Sequence, residues 1–206
     1  MVLNEGARHD DLATDKNRQI ARTWQRYRAM VYFLAYTGAR IGEARAFHRD
    51  NFLPDMRKVR ITEAASENGE VGDVKTERGY RSIPLHPALE AVLREWSAKT
   101  NLTLLFGTAN DRPNSLGNLQ NRMLGPLKDR ADRLAIEKSD PRYVKISRDR
   151  AFHAFRHHYA SQLVNRGANL KKLQTYMGHA SAAFTLDVYG HLFEDEDDEV
   201  VLGMEF

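Results

Sequence analysis

Residues 152–193 read FHAFRHHYASQLVNRGANLKKLQTYMGHASAAFTLDVYGHLF, and the punctuation of this stretch decides the fold. Glycine lacks a Cβ and takes up the left-handed conformation with which many helices end. Gly167 therefore closes a helix predicted over about 152–166, and Gly178 closes one over about 169–177. A third helix is predicted over about 182–193. On the first of the three, Phe152, Phe155 and Tyr159 are available for packing.

Moving outward, Trp24, Tyr27, Val31 and Leu34 recur at helical spacing and predict a buried helix that stops near Gly38. A second short helix is predicted over Arg40 to Phe47. Val59-Arg60-Ile61 and Arg81-Ser82-Ile83 alternate as strands do, with a Gly-containing stretch, Ser66 to Gly79, between them. That pattern predicts a small antiparallel sheet with an exposed hairpin. Pro87 opens a helix with Leu89, Val92, Leu93 and Trp96 as its apolar stripe. Thr103 to Phe106 reads as a short strand or a buried connector. Leu116, Leu119, Met123, Leu127 and Leu134 outline a helical region that Pro126 should kink or divide. Residues 137–151 read as a basic loop with Arg142, Lys145, Arg148 and Arg150. The fold class expected is α+β, mainly α-helical, with a small antiparallel β-sheet packed beside the helices. The expected organisation is a polar lead-in over 1–20, one domain over 21–193 and a tail over 194–206.

The chain has 206 residues, 42% hydrophobic and 29% charged, which is enough to bury a real core. With no cysteine there is no disulfide, no thiolate zinc site and no thiol nucleophile. No apolar run approaches the roughly 18 to 20 residues that cross a bilayer, and Met1 to Asp11 lacks the apolar core of a signal peptide. A cytoplasmic location without membrane contact is expected. The net charge of +3 hides an asymmetry. Seven of the 28 acidic side chains lie in residues 194–206, which hold no Lys or Arg, so the remainder sets 31 basic against 21 acidic groups, a formal +10. A body that basic suits a polyanion such as nucleic acid, although a merely basic protein has the same composition.

Four segments offer chemistry. Thr37-Gly38-Ala39-Arg40-Ile41-Gly42-Glu43 delivers Arg40 from a glycine turn to a helix start, with Glu43 three residues on. A guanidinium is a rigid fork of donors that suits a phosphate, and a neighbouring carboxylate can hold the fork in place. Such a pair by itself is more often a surface salt bridge. His153-Ala154-Phe155-Arg156-His157-His158 puts His153 and Arg156 on one helix face, where imidazole can pass a proton and guanidinium can clamp an oxyanion. The plainer reading is a solvated polar face. His153 and His157 have the spacing of the zinc motif H-E-x-x-H, but Ala154 stands where that motif requires Glu. The third segment is Gly178-His179, where a lone His after a helix-ending glycine is usually structural. The fourth holds Tyr189, one of eight tyrosines and on composition alone a packing residue.

Taken in order, these segments resemble the tyrosine recombinase (phage integrase) family. Its Arg box is matched by Thr37-Gly38-Ala39-Arg40 with Glu43, though Leu or Met is commoner than Ala39 there. Its Lys hairpin is matched by Lys75-Thr76-Glu77-Arg78-Gly79-Tyr80-Arg81-Ser82-Ile83-Pro84-Leu85, and its His-x-x-Arg box by His153-Ala154-Phe155-Arg156-His157, where an acidic residue is frequent at the place of Ala154. Gly178-His179 and Tyr189 complete the set, and the resemblance spans about residues 24 to 193.

The resemblance implies a site-specific DNA recombinase with catalytic residues Arg40, Lys75, His153, Arg156, His179 and Tyr189. Tyr189 would attack the scissile phosphate and form a 3′-phosphotyrosine link, releasing a 5′-hydroxyl. Arg40 and Arg156 would hold the non-bridging oxygens. Lys75 would protonate the leaving oxygen, with Arg78 and Arg81 as alternatives in the same hairpin. His153 would assist proton transfer at Tyr189, His179 would hydrogen-bond the phosphate, and Glu43 would orient the groups around it. Neither a metal nor another cofactor is expected. The implied partners are double-stranded DNA and further recombinase subunits, as a tetramer in the active complex. The brevity of the lead-in implies an excised catalytic fragment rather than a minimal family member. In relatives the segment after the tyrosine often docks on a neighbouring subunit, a use open to the tail with its apolar Val200, Val201, Leu202, Met204 and Phe206. A type IB topoisomerase shares the chemistry, and a non-catalytic DNA-binding protein explains the basic body but not the ordered set.

Overall fold

The computed structural model describes residues 15–74, 79–139 and 150–193. Helix α1, Asp15–Thr37, runs through the core and buries Tyr27, Met30, Val31, Phe33 and Leu34. It starts at Asp15, so residues 15–20 of the expected lead-in are helical. Gly38 (φ +60°) ends it as the sequence predicts, and α2, Ile41–Arg45, follows at once.

Three strands form an antiparallel sheet in the order β1-β2-β5: Phe52–Leu53, Lys58–Ile61 and Arg81–Pro84. Val59 faces Ile83 and Ile61 faces Arg81 across the central pair. Because strand side chains alternate, Val59, Ile61 and Ile83 all turn inward. The stretch between β2 and β5 is not a single hairpin loop. It contains a second two-stranded ladder, β3 (Glu63–Ala65) with β4 (Val71–Asp73). The ladder lies against α2, so closely that a Cβ on Gly42 would stand 2.8 Å from the Ala65 carbonyl oxygen.

Helix α3, Pro87–Ser97, buries its predicted stripe of Leu89, Val92, Leu93 and Trp96 against α1. Phe33 joins Phe47 and Phe106 at centroid distances of 4.3 and 5.3 Å. Trp96 donates its indole N–H to the Leu105 carbonyl at 2.6 Å, and the segment 103–106 is a connector buried at Leu104, Leu105 and Phe106, with Thr103 exposed. It touches His48 through one isolated β-bridge at Leu104. The next helical region is divided, as Pro126 requires. Helix α4, Leu116–Leu119, passes through a π-helical stretch, Gln120–Leu124, into α5, Gly125–Lys138, with Pro126 in its first turn. Glu137 and Lys138 therefore belong to α5 rather than to the predicted basic loop, and Arg142, Lys145 and Arg148 lie outside the described residues.

The closing helices are α6 (Ala151–Val164), α7 (Leu170–Met177) and α8 (Ala182–Tyr189). The last is shorter than predicted: after Tyr189 the chain tightens into a 3-10 turn, Gly190–Leu192. Among the described residues, no helix is long and apolar enough to cross a membrane.

Candidate active site

Two glycine helix ends build the floor of the site. At the first, Gly38 packs so tightly under Tyr159 that a Cβ would lie 2.5 Å from its ring, and the turn hands Arg40 to the start of α2. Glu43 folds back to accept the Arg40 backbone N–H at 2.7 Å and its guanidinium at 3.0 Å. At the second, Gly178 (φ +63°) ends α7, and a Cβ there would stand 2.8 Å from Arg81. The two ends are cross-braced. Arg156 donates to the Gly38 carbonyl at 2.5 Å, and Arg40 reaches the Gly178 carbonyl at 3.4 Å.

Glu43 is 2% exposed, and its main partner is Arg81, a residue the sequence offered only as a stand-in for Lys75. Arg81 donates to both carboxylate oxygens, at 2.9 and 2.7 Å, and its Nε reaches the Tyr176 carbonyl at 2.8 Å. That fork is fully engaged and buried, so Arg81 holds Glu43 rather than serving as a mobile acid. The signal was present in the strand alternation: if Ile83 points inward, so does Arg81. Burial alone would raise the Glu43 pKa, but Arg81 and then Arg40 hold it below the usual carboxylate range.

Arg156 is 7% exposed and projects from α6 beneath the same surface. It donates to the Met177 carbonyl and, at 2.9 Å, to His179. Burial, with the nearby Arg40 and Arg81, pulls its pKa down to about 10, so it remains a cation at neutral pH. His179 is buried as well, and desolvation beside Arg156, Arg40 and Arg81 lowers it to about 4, which leaves a neutral imidazole at neutral pH. Three guanidinium groups thus surround one carboxylate, a cluster with spare positive charge suited to an oxyanion.

Tyr189 ends α8 and enters this cluster, 2% exposed. Its ring stacks on His179 (5.9 Å, 7°) and meets the edge of His157 (5.4 Å, 66°). Burial raises its pKa, partly offset by the positive charges of the neighbouring Arg156 and Arg40. His153 is exposed on α6, one turn before His157. The histidine whose ring meets Tyr189 is His157, itself solvent-exposed and given no role by the sequence, and partial desolvation, with His153, Arg156 and His191 nearby, lowers its pKa. Nothing in the α6 sequence distinguishes the two, because the choice depends on where α8 docks. Lys75 lies outside the described residues. The structure thus gathers Arg40, Glu43, Arg156, His179 and Tyr189 and adds Arg81 and His157.

The phage integrase family model matches residues 12–196, a span that contains every one of these side chains. The chain belongs to that family. It is 27% identical over 202 residues to the tyrosine recombinase XerD of Corynebacterium glutamicum, covering 98% of this chain and 58% of that protein. It is 29% identical over 189 residues to the integrase of Mycobacterium phage D29, covering 88% of this chain and 47% of the phage protein. The chain thus spans about half the length of these curated relatives. Among solved structures, the Tn1549 transposon integrase in complex with circular intermediate DNA superposes with a TM-score of 0.65 at 21% identity, over 84% of this chain and 60% of that one. The XerH site-specific recombinase, bound to its palindromic difH substrate, gives 0.61 at 19% identity, over 97% of this chain and 48% of that one. At these identities the structural likeness speaks for the fold: a tyrosine recombinase catalytic domain.

Proposed function

We propose that this domain breaks and rejoins DNA strands as the catalytic part of a site-specific recombinase, with Tyr189 as nucleophile. The observation that carries this reading is the buried Tyr189 ring, stacked on the His179 that Arg156 holds, beside a cluster of three guanidinium groups and one carboxylate. Phosphodiester transfer needs a nucleophile beside donors that neutralise the charge growing on the phosphate. Tyr189 attacks the scissile phosphorus and forms a 3′-phosphotyrosine bond. The 5′-oxygen departs with a proton from Lys75, and the proton of Tyr189 passes to an imidazole, His153 by family resemblance. Arg40, half-exposed at the mouth, and Arg156 beneath it hold the non-bridging oxygens, while Glu43 keeps Arg40 aligned. His179 hydrogen-bonds the phosphate once its Nε2 leaves Arg156. The phosphotyrosine conserves the bond energy, so religation to a partner strand proceeds without ATP or a metal.

The partners in this reading are duplex DNA and further copies of the recombinase, assembled as a tetramer on paired sites in the cytoplasm. Residues 21–193 act as the catalytic unit, and the tail over 194–206 is an appendage that shields the basic face or docks on a neighbour. The test is to incubate the protein with nicked duplexes of randomised sequence in excess EDTA and resolve the products on denaturing gels. A covalent protein–DNA adduct is expected. Arg40→Ala and Arg156→Ala should each slow it by about 100- to 1000-fold, the loss typical of an oxyanion donor. Cleavage that stops in EDTA and returns with a divalent ion would contradict the proposal.

A further inference from the structure

Helix α8 buries only two of its eight side chains, Thr185 and Tyr189, and both press on His179. The Thr185 hydroxyl is fully enclosed at 0% exposure, which makes it an unusual place for a polar group unless its hydrogen bonds are complete. They are complete. Oγ1 lies 3.1 Å from His179 Nδ1 and donates to the Ser181 carbonyl at 3.1 Å.

The direction of each bond in this chain is fixed from both ends. A guanidinium has donors and no acceptor, so in the 2.9 Å contact between Arg156 and His179 the imidazole Nε2 must be the bare, accepting nitrogen. A neutral imidazole then carries its proton on Nδ1. At the other end, the single Thr185 proton is engaged by Ser181, so Oγ1 accepts, which again requires the proton on Nδ1. The line runs Arg156 N–H to Nε2, Nδ1–H to Thr185, and Thr185 O–H to Ser181, with no ambiguity left.

We infer that Thr185 is a positioning residue for the strand-cleavage reaction proposed above: it sets the tautomer of His179 and, from the nucleophile's own helix, keeps Nε2 aimed at the phosphate-binding arginine. Thr185 and Tyr189 are four residues apart on one face, so the hydroxyl that orients the imidazole and the ring that stacks on it move as a unit. When Nε2 gives up the Arg156 contact and takes a proton from solvent to donate to a phosphate oxygen, Nδ1–H keeps the same acceptor. Without the hydroxyl, the Nδ1 proton that the Arg156 contact demands is buried without an acceptor, so a tautomer or ring orientation that gives up Arg156 can compete.

The test uses the whole chain with 15N-labelled histidine, and His179→Gln to assign the signal. In the parent protein, two-bond proton–nitrogen correlations at neutral pH should show His179 protonated on Nδ1 and bare on Nε2. Thr185→Ser should keep that pattern, while Thr185→Val, which preserves shape and removes the hydroxyl, should give a mixture of tautomers. In the adduct assay, Thr185→Val should slow attachment about tenfold, as befits one lost buried hydrogen bond, and Thr185→Ser should stay within about threefold of the parent. A proton on Nε2 in the parent would overturn the inference, as would a Val variant with the parent's spectrum and rate. The magnetic resonance arm uses no DNA, so a parent protein that forms no adduct would sink the proposed function while leaving the tautomer to be decided separately. Should the Val variant fail to fold, Thr185→Ala supplies the same comparison, and a parent-like spectrum and rate in it would overturn the inference.

Discussion

The two halves of the site are held in place by different means. On the arginine side, Arg81 is clamped between Glu43 and the Tyr176 carbonyl, Arg156 sits on the carbonyls of Gly38 and Met177, and both are buried. These contacts tie α2, β5, α6 and α7 into one framework. On the tyrosine side, α8 is fastened mainly by Thr185, Tyr189 and the Phe184 ring set edge-on to His179, while Phe184 and Leu186 still stand 51% and 48% exposed. Catalysis by electrostatic stabilisation requires the charged groups to be fixed before the phosphate arrives. A nucleophile, in contrast, must approach, bond and leave, and a helix with a small buried footprint allows that.

If this contrast is sound, its largest consequence is at Glu43. Glu43→Ala leaves the buried Arg81 without its carboxylate, and breaking such a pair costs about 3–5 kcal/mol. Urea unfolding should show a loss of that order; a loss below about 1 kcal/mol would mean that the pair is not part of the framework. A smaller effect is expected from acid. The folded pKa of Glu43 is depressed, so its stabilising contribution is present above the ordinary carboxylate range and lost as pH falls through the folded value. His179 is also depressed, from an ordinary 6.5 to about 4, so the unfolded chain binds the proton first and stability declines as pH falls across that interval. His157 adds in the same direction. Urea midpoints measured from pH 7 to 4 should fall steadily and less steeply in His179→Gln; a flat profile would contradict the burial of Glu43 and His179. The smallest effect belongs to the outer face of α8. Leu186→Ser should change unfolding free energy by no more than about 0.5 kcal/mol. Amides of α8 should exchange with solvent well before those of α1, and equal protection would erase the contrast.

Much of the framework was legible in the sequence because its local signals are strong. Gly38, Gly167 and Gly178 each carry a positive φ at a helix end, and Pro87 opens α3. The alternation of residues 59–61 and 81–83 gave the central strand pair its pairing sense and its inward face. The β3–β4 ladder was not legible, since each strand has three residues and β4 is exposed throughout, leaving no apolar alternation to read. The π-helical stretch at Gln120–Leu124 is a shift in backbone hydrogen-bond register, which side-chain periodicity does not record. In the site, Arg40, Glu43, Arg156, His179 and Tyr189 could be picked out because motif and order singled them out. The partnership of Arg81 with Glu43 spans 38 residues, and the contact of His157 with Tyr189 depends on helix docking, so both needed the three-dimensional structure.

The central claim is that the hydroxyl of Tyr189, and no other group, becomes bonded to DNA. The direct measurement compares the parent protein with Tyr189→Phe on nicked duplexes whose cut strand is lost by diffusion, with the adduct trapped on a denaturing gel and the attached residue located by peptide mass. The ring and its stacking on His179 are retained in the Phe variant, so fold and DNA affinity should be nearly unchanged while the adduct disappears, and the parent's adduct should map to Tyr189. An adduct of undiminished yield in Tyr189→Phe, or one mapped to another side chain, would contradict the account.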